Sequence, residues 1–250
     1  MIPGQRHFRN ICHGRKSLIA PSTARKPRML LSQHLARQLG NPSMMMGRLL
    51  APLWNKRNEA LNEAALAQLA LKYGDRVLEV GFGGGSLLGK IASVATDGIL
   101  VGVDVSPAMV AYCERQHPRL IKSGRLKLVC AGADAIPFPD GHFNKICSVN
   151  SVFYWPNIPG ALSEFWRLLH AGGTLIMCFT CRASIERKRF AKHLKLYDSR
   201  EIMSMMASCG FQEVHAIHAS DKHREFDCVS CKKLAPRGPD LTRGTHRPLE

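Results

Sequence analysis

The sequence predicts an α/β protein built on a doubly wound, mostly parallel sheet, and three observations carry this. From residue 75 onward, short β-rich runs alternate with helix-like segments, the pattern of parallel strands joined by crossover helices. The first run leads straight into a glycine cluster, "RVLEVGFGGGSLLGK", lying between a buried strand and a helix. The last two runs are parted only by "ASDKHRE", too short for a helical crossover, so they pair as an antiparallel hairpin.

In chain order, residues 1–28 are rich in Arg, Gly, Pro and Ser with no sustained period, and little order is expected there. Residues 29–40 read as a short amphipathic helix stopped by Gly40. Pro42, Gly47 and Pro52 punctuate the next stretch, so residues 41–58 are expected as short helical pieces. Leu61, Ala65, Leu66, Leu69 and Ala70 share one face of a helix over 58–72. Strands follow at 76–81, 99–104, 126–130, 145–150, 174–179, 213–218 and 226–231, with helices at 86–94, 107–117, 157–169 and 199–209. Ser106-Pro107 is a helix start signal, and Gly172-Gly173 and Gly210 are read as helix stops. The expected organisation is a basic N-terminal extension over 1–40, a domain over 41–231 whose segment 41–58 caps the pocket, and a flexible tail over 232–250.

The formal charge of +16 on 250 residues sits at the ends. Residues 1–58 supply +11 and residues 232–250 supply +3, leaving +2 for 59–231. A nearly neutral core argues against nucleic acid as partner of that domain, and leaves the basic ends as solvated extension, as an organellar import signal or as a surface for anions. No apolar run approaches the ~18 residues of a membrane span. Nine scattered cysteines point to a reducing compartment rather than a disulfide framework. A cytoplasmic location is expected, with organellar import through the Arg-rich N-terminus as the alternative; no oligomeric state is indicated.

Four glycines in five residues imply that something comes close to the backbone: a dinucleotide, a phosphate or an adenosyl sulfonium. Asp104 ends the next strand, where a carboxylate accepts both hydrogen bonds of a ribose diol. That pair indicates a nucleoside cofactor without choosing between NAD and S-adenosylmethionine. Three details favour the methyl donor. Ser86 replaces the third glycine of the dinucleotide fingerprint. Glu79, within the first strand, can hold a cationic amino-acid group. Asp134, after the third strand, can accept from an adenine amine.

The motifs "VLEVGFGGG", "GVDVS", "GADAIPFPDGHFNKICSVNSVFYW" and "ALSEFWRLLHAGGTLIM" resemble the successive motifs of class I S-adenosylmethionine-dependent methyltransferases, nearest to the type 11 group, over roughly residues 41–231. The resemblance implies a Rossmann-like, seven-stranded sheet with its last strand antiparallel, and S-adenosylmethionine as cofactor. It implies that Glu79, Gly81 and Gly83 line the methionine end of the cofactor and that Asp104 binds the ribose. Ser106 and Met109 would flank the adenine, Asp134 and the backbone of Ala135 would bind its edge, and Asn150 would offer its carbonyl to the amino group. Ser151, Phe153, Tyr154 and Trp155 would face the acceptor. By the same resemblance "LWNKRN" lies near the cofactor mouth, where Asn55 and Asn58 either bond cofactor or acceptor or cap helices. His170-Ala171 depart from the family's usual Lys-Pro, at a turn remote from the chemistry.

The expected reaction is methyl transfer to a small or medium-sized organic acceptor by in-line displacement, driven by positioning. No general base is unambiguous: Tyr154 is the best placed candidate, and His142 is read as a solvated loop residue. Met44, Met45, Met46, Leu49, Leu50 and Trp54 are candidates for an apolar lid. The pairs Cys178/Cys181 and Cys228/Cys231 have a zinc-like spacing, but each falls in a strand, where residues three apart face opposite ways, so no metal is expected. An NAD-dependent reductase, and a non-catalytic or nucleic-acid-binding protein on the same fold, are the rival readings.

Overall fold

The structure, a computed structural model, describes residues 38–235. The basic extension, apart from its last three residues, the Met44 and Arg48 side chains and the tail beyond residue 235 lie outside the described residues. Seven strands form one sheet in the order β3-β2-β1-β4-β5-β7-β6. They are β1 Arg76–Val80, β2 Ile99–Asp104, β3 Leu126–Cys130, β4 Phe143–Val149, β5 Leu169–Thr180, β6 Gln212–Ser220 and β7 Glu225–Lys232. β1 to β5 pair in parallel, and β7 runs antiparallel between β5 and β6. The sheet is the doubly wound, mostly parallel one expected, with the last strand inserted antiparallel.

Side-chain alternation along the strands builds two cores, one per face. On β5, Leu175, Met177 and Phe179 join Leu78, Val80 and Ile146 on one face. Ile176 and Cys178 join Val77, Cys147 and Val149 on the other. The first face is covered by α6 Ile158–Leu168 and α8 Ser199–Ser208. The second is covered by α2 Glu59–Leu69, α3 Ser86–Val94 and α4 Pro107–Gln116. Two short helices, α5 Pro118–Lys122 and α7 Arg182–Ile185, complete the set with α1 Met44–Arg57. Asp198 closes a capping box with Glu201 at the start of α8, so that helix has a sharp N-terminus.

Three expectations are corrected. Residues 44–57 form one continuous helix, α1, although Gly47 and Pro52 lie inside it. Packing overrides the propensity cost of about 3 kcal/mol for an interior proline. Gly47 lies against α4, where a Cβ would stand 2.4 Å from Met109 Cε, and Ala51 is fully buried. Gly172-Gly173 do not stop a helix. α6 ends at Leu168 and β5 starts at once; Gly172, at φ 85°, lies where the β4–β5 register shifts, a bulge that glycine tolerates. Finally, Cys178 and Cys228 face each other across β5 and β7 and form a disulfide, where only free cysteines were expected. Cys231 belongs to the opposite core, so the four cysteines of the two C-x-x-C pairs cannot converge on one ion. Among the described residues no helix is long and apolar enough to cross a membrane.

Candidate functional site

The C-terminal tips of β1, β2, β4 and β5 open into one cavity of about 710 Å³, where ligands bind in such sheets. Its floor is the glycine turn between β1 and α3. Gly81, Gly83 and Gly85 have φ of 75°, 50° and 73°, a region that costs other residues about 1–2 kcal/mol. The crowding at this loop comes mostly from the protein. A Cβ would stand 2.3 Å from Ser151 Cβ at Gly81, 2.2 Å from Asn55 Oδ1 at Gly84 and 2.6 Å from Cys113 Sγ at Gly85. At Gly83 the nearest atom is Trp54 Cε3, 3.8 Å away. The expectation that a bound molecule accounts for the whole cluster is therefore corrected: only at Gly83 would a Cβ meet no protein atom closer than 3.8 Å.

Two buried acids line the same floor. Asp104 accepts from Gly83 N through Oδ2 and from Ser106 N through Oδ1, both at 2.9 Å. Burial pushes its carboxyl up to about 6, opposed by those two amide bonds. Glu79 is pushed well above the usual carboxylate range by burial first and by the Asp104 charge second. Its Oε2 is buried and has no hydrogen-bond partner. An orphaned carboxylate oxygen lining a cavity calls for a donor or a cation from a ligand.

Asn150 marks the tip of β4 with a φ of 54°, a strained conformation for a residue with a side chain. Its side chain is fully engaged. Oδ1 accepts from Thr180 N and Oγ1, and Nδ2 donates to Asn58 Oδ1 at 2.9 Å. Arg224, from the β6–β7 turn, donates through Nη2 to the same Asn58 Oδ1 and to the Arg57 carbonyl. Asn55 Nδ2 donates to Gly84 O at 3.0 Å, tying α1 to the glycine turn. Neither Asn55 nor Asn58 makes a side-chain cap, so that alternative is not realised.

Of the residues singled out in the sequence, Glu79, Gly81, Gly83, Asp104, Met109, Asp134 and Asn150 line the cavity, as do Asn55, Asn58, Ser151, Phe153, Tyr154 and Trp155. Two do not. Ser106 is fully buried behind the wall, its Oγ donating to Pro42 O, and the exposed Val105 lines the cavity in its place. Ala135 lies outside, its amide donating to Gly132 O in a turn at 3.3 Å. The loop carrying Asp134 is held from α6: Arg167 donates to the carbonyls of Phe138 and Ile136, and Glu164 accepts from Ile136 N. In α1, Leu50 and Trp54 face the cavity while Met45 and Leu49 are exposed. Sequence reasoning missed Thr180, Arg224 and Asn62 as lining residues. Arg224 reaches the site from a hairpin turn with no motif around it, and only the sheet order brings it there.

A model of the methyltransferase domain family matches residues 78–177. An uncharacterized methyltransferase of Bacillus subtilis is 26% identical over 178 residues, covering 71% of this chain and 94% of that protein. These matches support a class I S-adenosylmethionine-dependent methyltransferase. A demethylmenaquinone methyltransferase of Symbiobacterium thermophilum is 34% identical over 112 residues, 44% of this chain and 45% of that protein. In fold, the methyltransferase is similar to a S-adenosylmethionine-dependent methyltransferase from Aquifex aeolicus, with a TM-score of 0.62 and 18% identity over 81% of this chain and 98% of that one. The methyltransferase uses S-adenosylmethionine, and the reductase reading is set aside. The observed donors and acceptors fit that cofactor: an orphaned acidic oxygen for a cationic end, a second buried carboxylate for a diol, and one open glycine between them.

Proposed function

We propose that this methyltransferase methylates a small or medium-sized organic acceptor with a largely apolar body, by holding acceptor and methyl donor in line within the one cavity. The observation that carries this reading is the continuity of the cavity. The same cavity is lined by the acids Glu79 and Asp104 and by the apolar side chains of Phe153, Trp155, Phe190 and Leu194. S-adenosylmethionine supplies a methyl carbon already activated by its sulfonium. Glu79 holds the cationic amino-acid end, Asp104 accepts the ribose hydroxyls, Gly83 leaves room for the chain between them, and Met109 and Asp134 meet the base. Ser151, Phe153, Tyr154 and Trp155 orient the acceptor, whose position supplies the rate. That the chain resembles, over less than half its length, a methyltransferase named for the apolar demethylmenaquinone agrees with an apolar acceptor end.

Tyr154 is a wall in this reading rather than a base. Burial pushes its phenol up to about 12, which holds the proton at neutral pH. Tyr154→Phe is expected to keep kcat within about threefold and leave the pH–rate profile unchanged. A loss of about 100-fold, the size of a general acid–base contribution, would make Tyr154 the base instead. The function is tested by isothermal calorimetry with S-adenosylmethionine and S-adenosylhomocysteine, followed by transfer of a labelled methyl group to a panel of apolar acids, phenols and quinols. No binding at sub-millimolar concentration would sink the cofactor assignments, and labelling only of polar acceptors would sink the apolar one.

Proton linkage gives a separate check. Asp104 in the folded state titrates at about 6, above its ordinary 3.8. Its ionisation is thus a folding cost, absent below the ordinary value and fully present above about pH 6. Ribose hydroxyls donate to the ionised form, so binding releases a proton wherever Asp104 is protonated. Cofactor affinity is expected to fall as pH drops from about 7 to about 5, by up to ~10-fold per unit below the folded pKa. Glu79, raised as well, pushes in the same direction. A dissociation constant unchanged across that window by calorimetry would contradict these roles.

A further inference from the structure

Outside the cavity, three metal-ligating side chains meet at the end of β5. His218 on β6 and Asp227 on β7 are register partners, and His218 Nδ1 stands 2.9 Å from Asp227 Oδ1. Cys181 is the first residue after β5, fixed by its amide, which donates to Glu225 O at 2.9 Å. Its Sγ lies 3.8 Å from the same His218 Nδ1. The three donor atoms fall within 4.8 Å of one another. Asp227 is buried, Cys181 half-buried and His218 exposed, which leaves one side open to solvent. None of the three lines the methyl-transfer cavity, although Thr180 and Ser184, on either side of Cys181, do.

We propose that Cys181, His218 and Asp227 form a binding site for a divalent cation of the zinc type. The donor set decides the ion. One sulfur, one imidazole nitrogen and one carboxylate oxygen suit a borderline-soft tetrahedral cation, and hard cations of the calcium or magnesium class prefer oxygen alone. The spacing agrees: at Zn–N and Zn–O of about 2.0–2.2 Å and Zn–S of about 2.3 Å, two ligands of a tetrahedral ion stand roughly 3.2–3.7 Å apart. The 2.9 and 3.8 Å from His218 Nδ1 bracket that range, and rotation of Cys181 and His218 brings the remaining pair, now within 4.8 Å, to it. The cation replaces the thiol proton of Cys181, and water from the open side supplies the fourth ligand. Its effect is mechanical: it clips the β6–β7 hairpin, which carries Arg224, to the β5 exit that starts the cavity wall.

The plain alternative is a His–Asp ion pair with a cysteine nearby, and the two differ in what Cys181 does. Full-length protein, stripped by dialysis against a weak chelator, is titrated with Co²⁺ as a spectroscopic stand-in and then with Zn²⁺. The wild type is expected to show a near-ultraviolet thiolate–cobalt charge-transfer band that saturates, is abolished by Zn²⁺, and is lost in Cys181→Ser and His218→Ala. Cys130→Ser, which removes an exposed thiol, should retain the band. Zn²⁺ at a hundredfold excess over its Kd should raise the wild-type Tm by roughly 5–10 °C and leave Cys181→Ser unmoved. S-adenosylhomocysteine binding by each variant verifies that it is folded. A band and Tm response equal in wild type and Cys181→Ser, or no saturable band at tens of micromolar Co²⁺, would overturn the proposal.

Discussion

Asp104→Asn is expected to weaken binding of S-adenosylmethionine and S-adenosylhomocysteine by about 100-fold, close to 3 kcal/mol. The size follows from what the carboxylate does twice over. Its two oxygens already accept from Gly83 N and Ser106 N, which places them at the mouth of the glycine turn. Each oxygen keeps a second lone pair, and in the proposed role the two together accept a ribose diol through charge-assisted hydrogen bonds worth about 1.5–3 kcal/mol apiece. Asparagine keeps the shape, but its amide sets a donor against one of those two backbone donors. It also removes the charge that strengthens the remaining bond. Because Asp104 sits in the buried set, with its ionisation a cost to folding, the variant should melt no lower than about the wild type at neutral pH while binding the cofactor far more weakly. Calorimetry reads the affinity and thermal melting guards against misfolding. An affinity within about threefold of wild type, in a folded variant, would remove Asp104 from the cofactor site.

The second large effect concerns stability. Gly81→Ala is expected to cost about 2–4 kcal/mol and lower Tm by about 10 °C. The new methyl would stand 2.3 Å from Ser151 Cβ, and the backbone is at φ 75°. Overpacking of this kind costs about 1–3 kcal/mol and the left-handed backbone about 1 more. Ser151 cannot simply swing aside, because its Oγ is held by Ser148 Oγ at 2.6 Å and by Val80 O at 3.2 Å. Adding Ser151→Gly removes the atom the methyl strikes and leaves only the backbone cost. The double variant should therefore be more stable than the sum of the single changes by at least about 1 kcal/mol. Strict additivity in denaturant melts would show that Gly81 is there for something other than Ser151.

Much of the fold was legible because it rests on local pattern. The strand-length apolar runs, the helix start at Ser106-Pro107 and the stop at Gly210 depend on backbone sterics and on neighbours three or four residues away. The short "ASDKHRE" link excluded a crossover on length alone. The acids Glu79 and Asp104 were legible too, since the tip of a strand before a glycine turn is a place where topology assembles a site whatever the distant sequence does. Reading failed where a distant surface overruled local preference. Gly47 and Pro52 look like breaks, yet α1 runs through both because its face is packed on α4. The paired Gly172-Gly173 look like a helix stop and serve as a bulge, because β5 must keep register with β4 across a longer span. Ser106 and Ala135 share the spacing of useful residues, but one hydroxyl is spent on Pro42 and one amide on Gly132.

By itself, then, the sequence determined the order of elements, the doubly wound sheet, the antiparallel ending and the two carboxylates at the glycine turn, all of which follow from periodicities of 2 and 3.6 and from the conformational limits of Gly and Pro. Only the tertiary structure decided why the glycines are there, with three of the four walled in by Ser151, Asn55 and Cys113 and Gly83 alone left uncrowded. It alone joined Asn58, Asn150, Thr180 and Arg224 into one hydrogen-bonded rim, and paired Cys178 with Cys228. It alone set Cys181 beside His218 and Asp227. The physical reason is the same in each case. These contacts span about 30 to more than 160 residues and depend on which strand lies beside which, on the β6–β7 hairpin folding back against β5, and no local preference of the chain encodes a neighbour that far away.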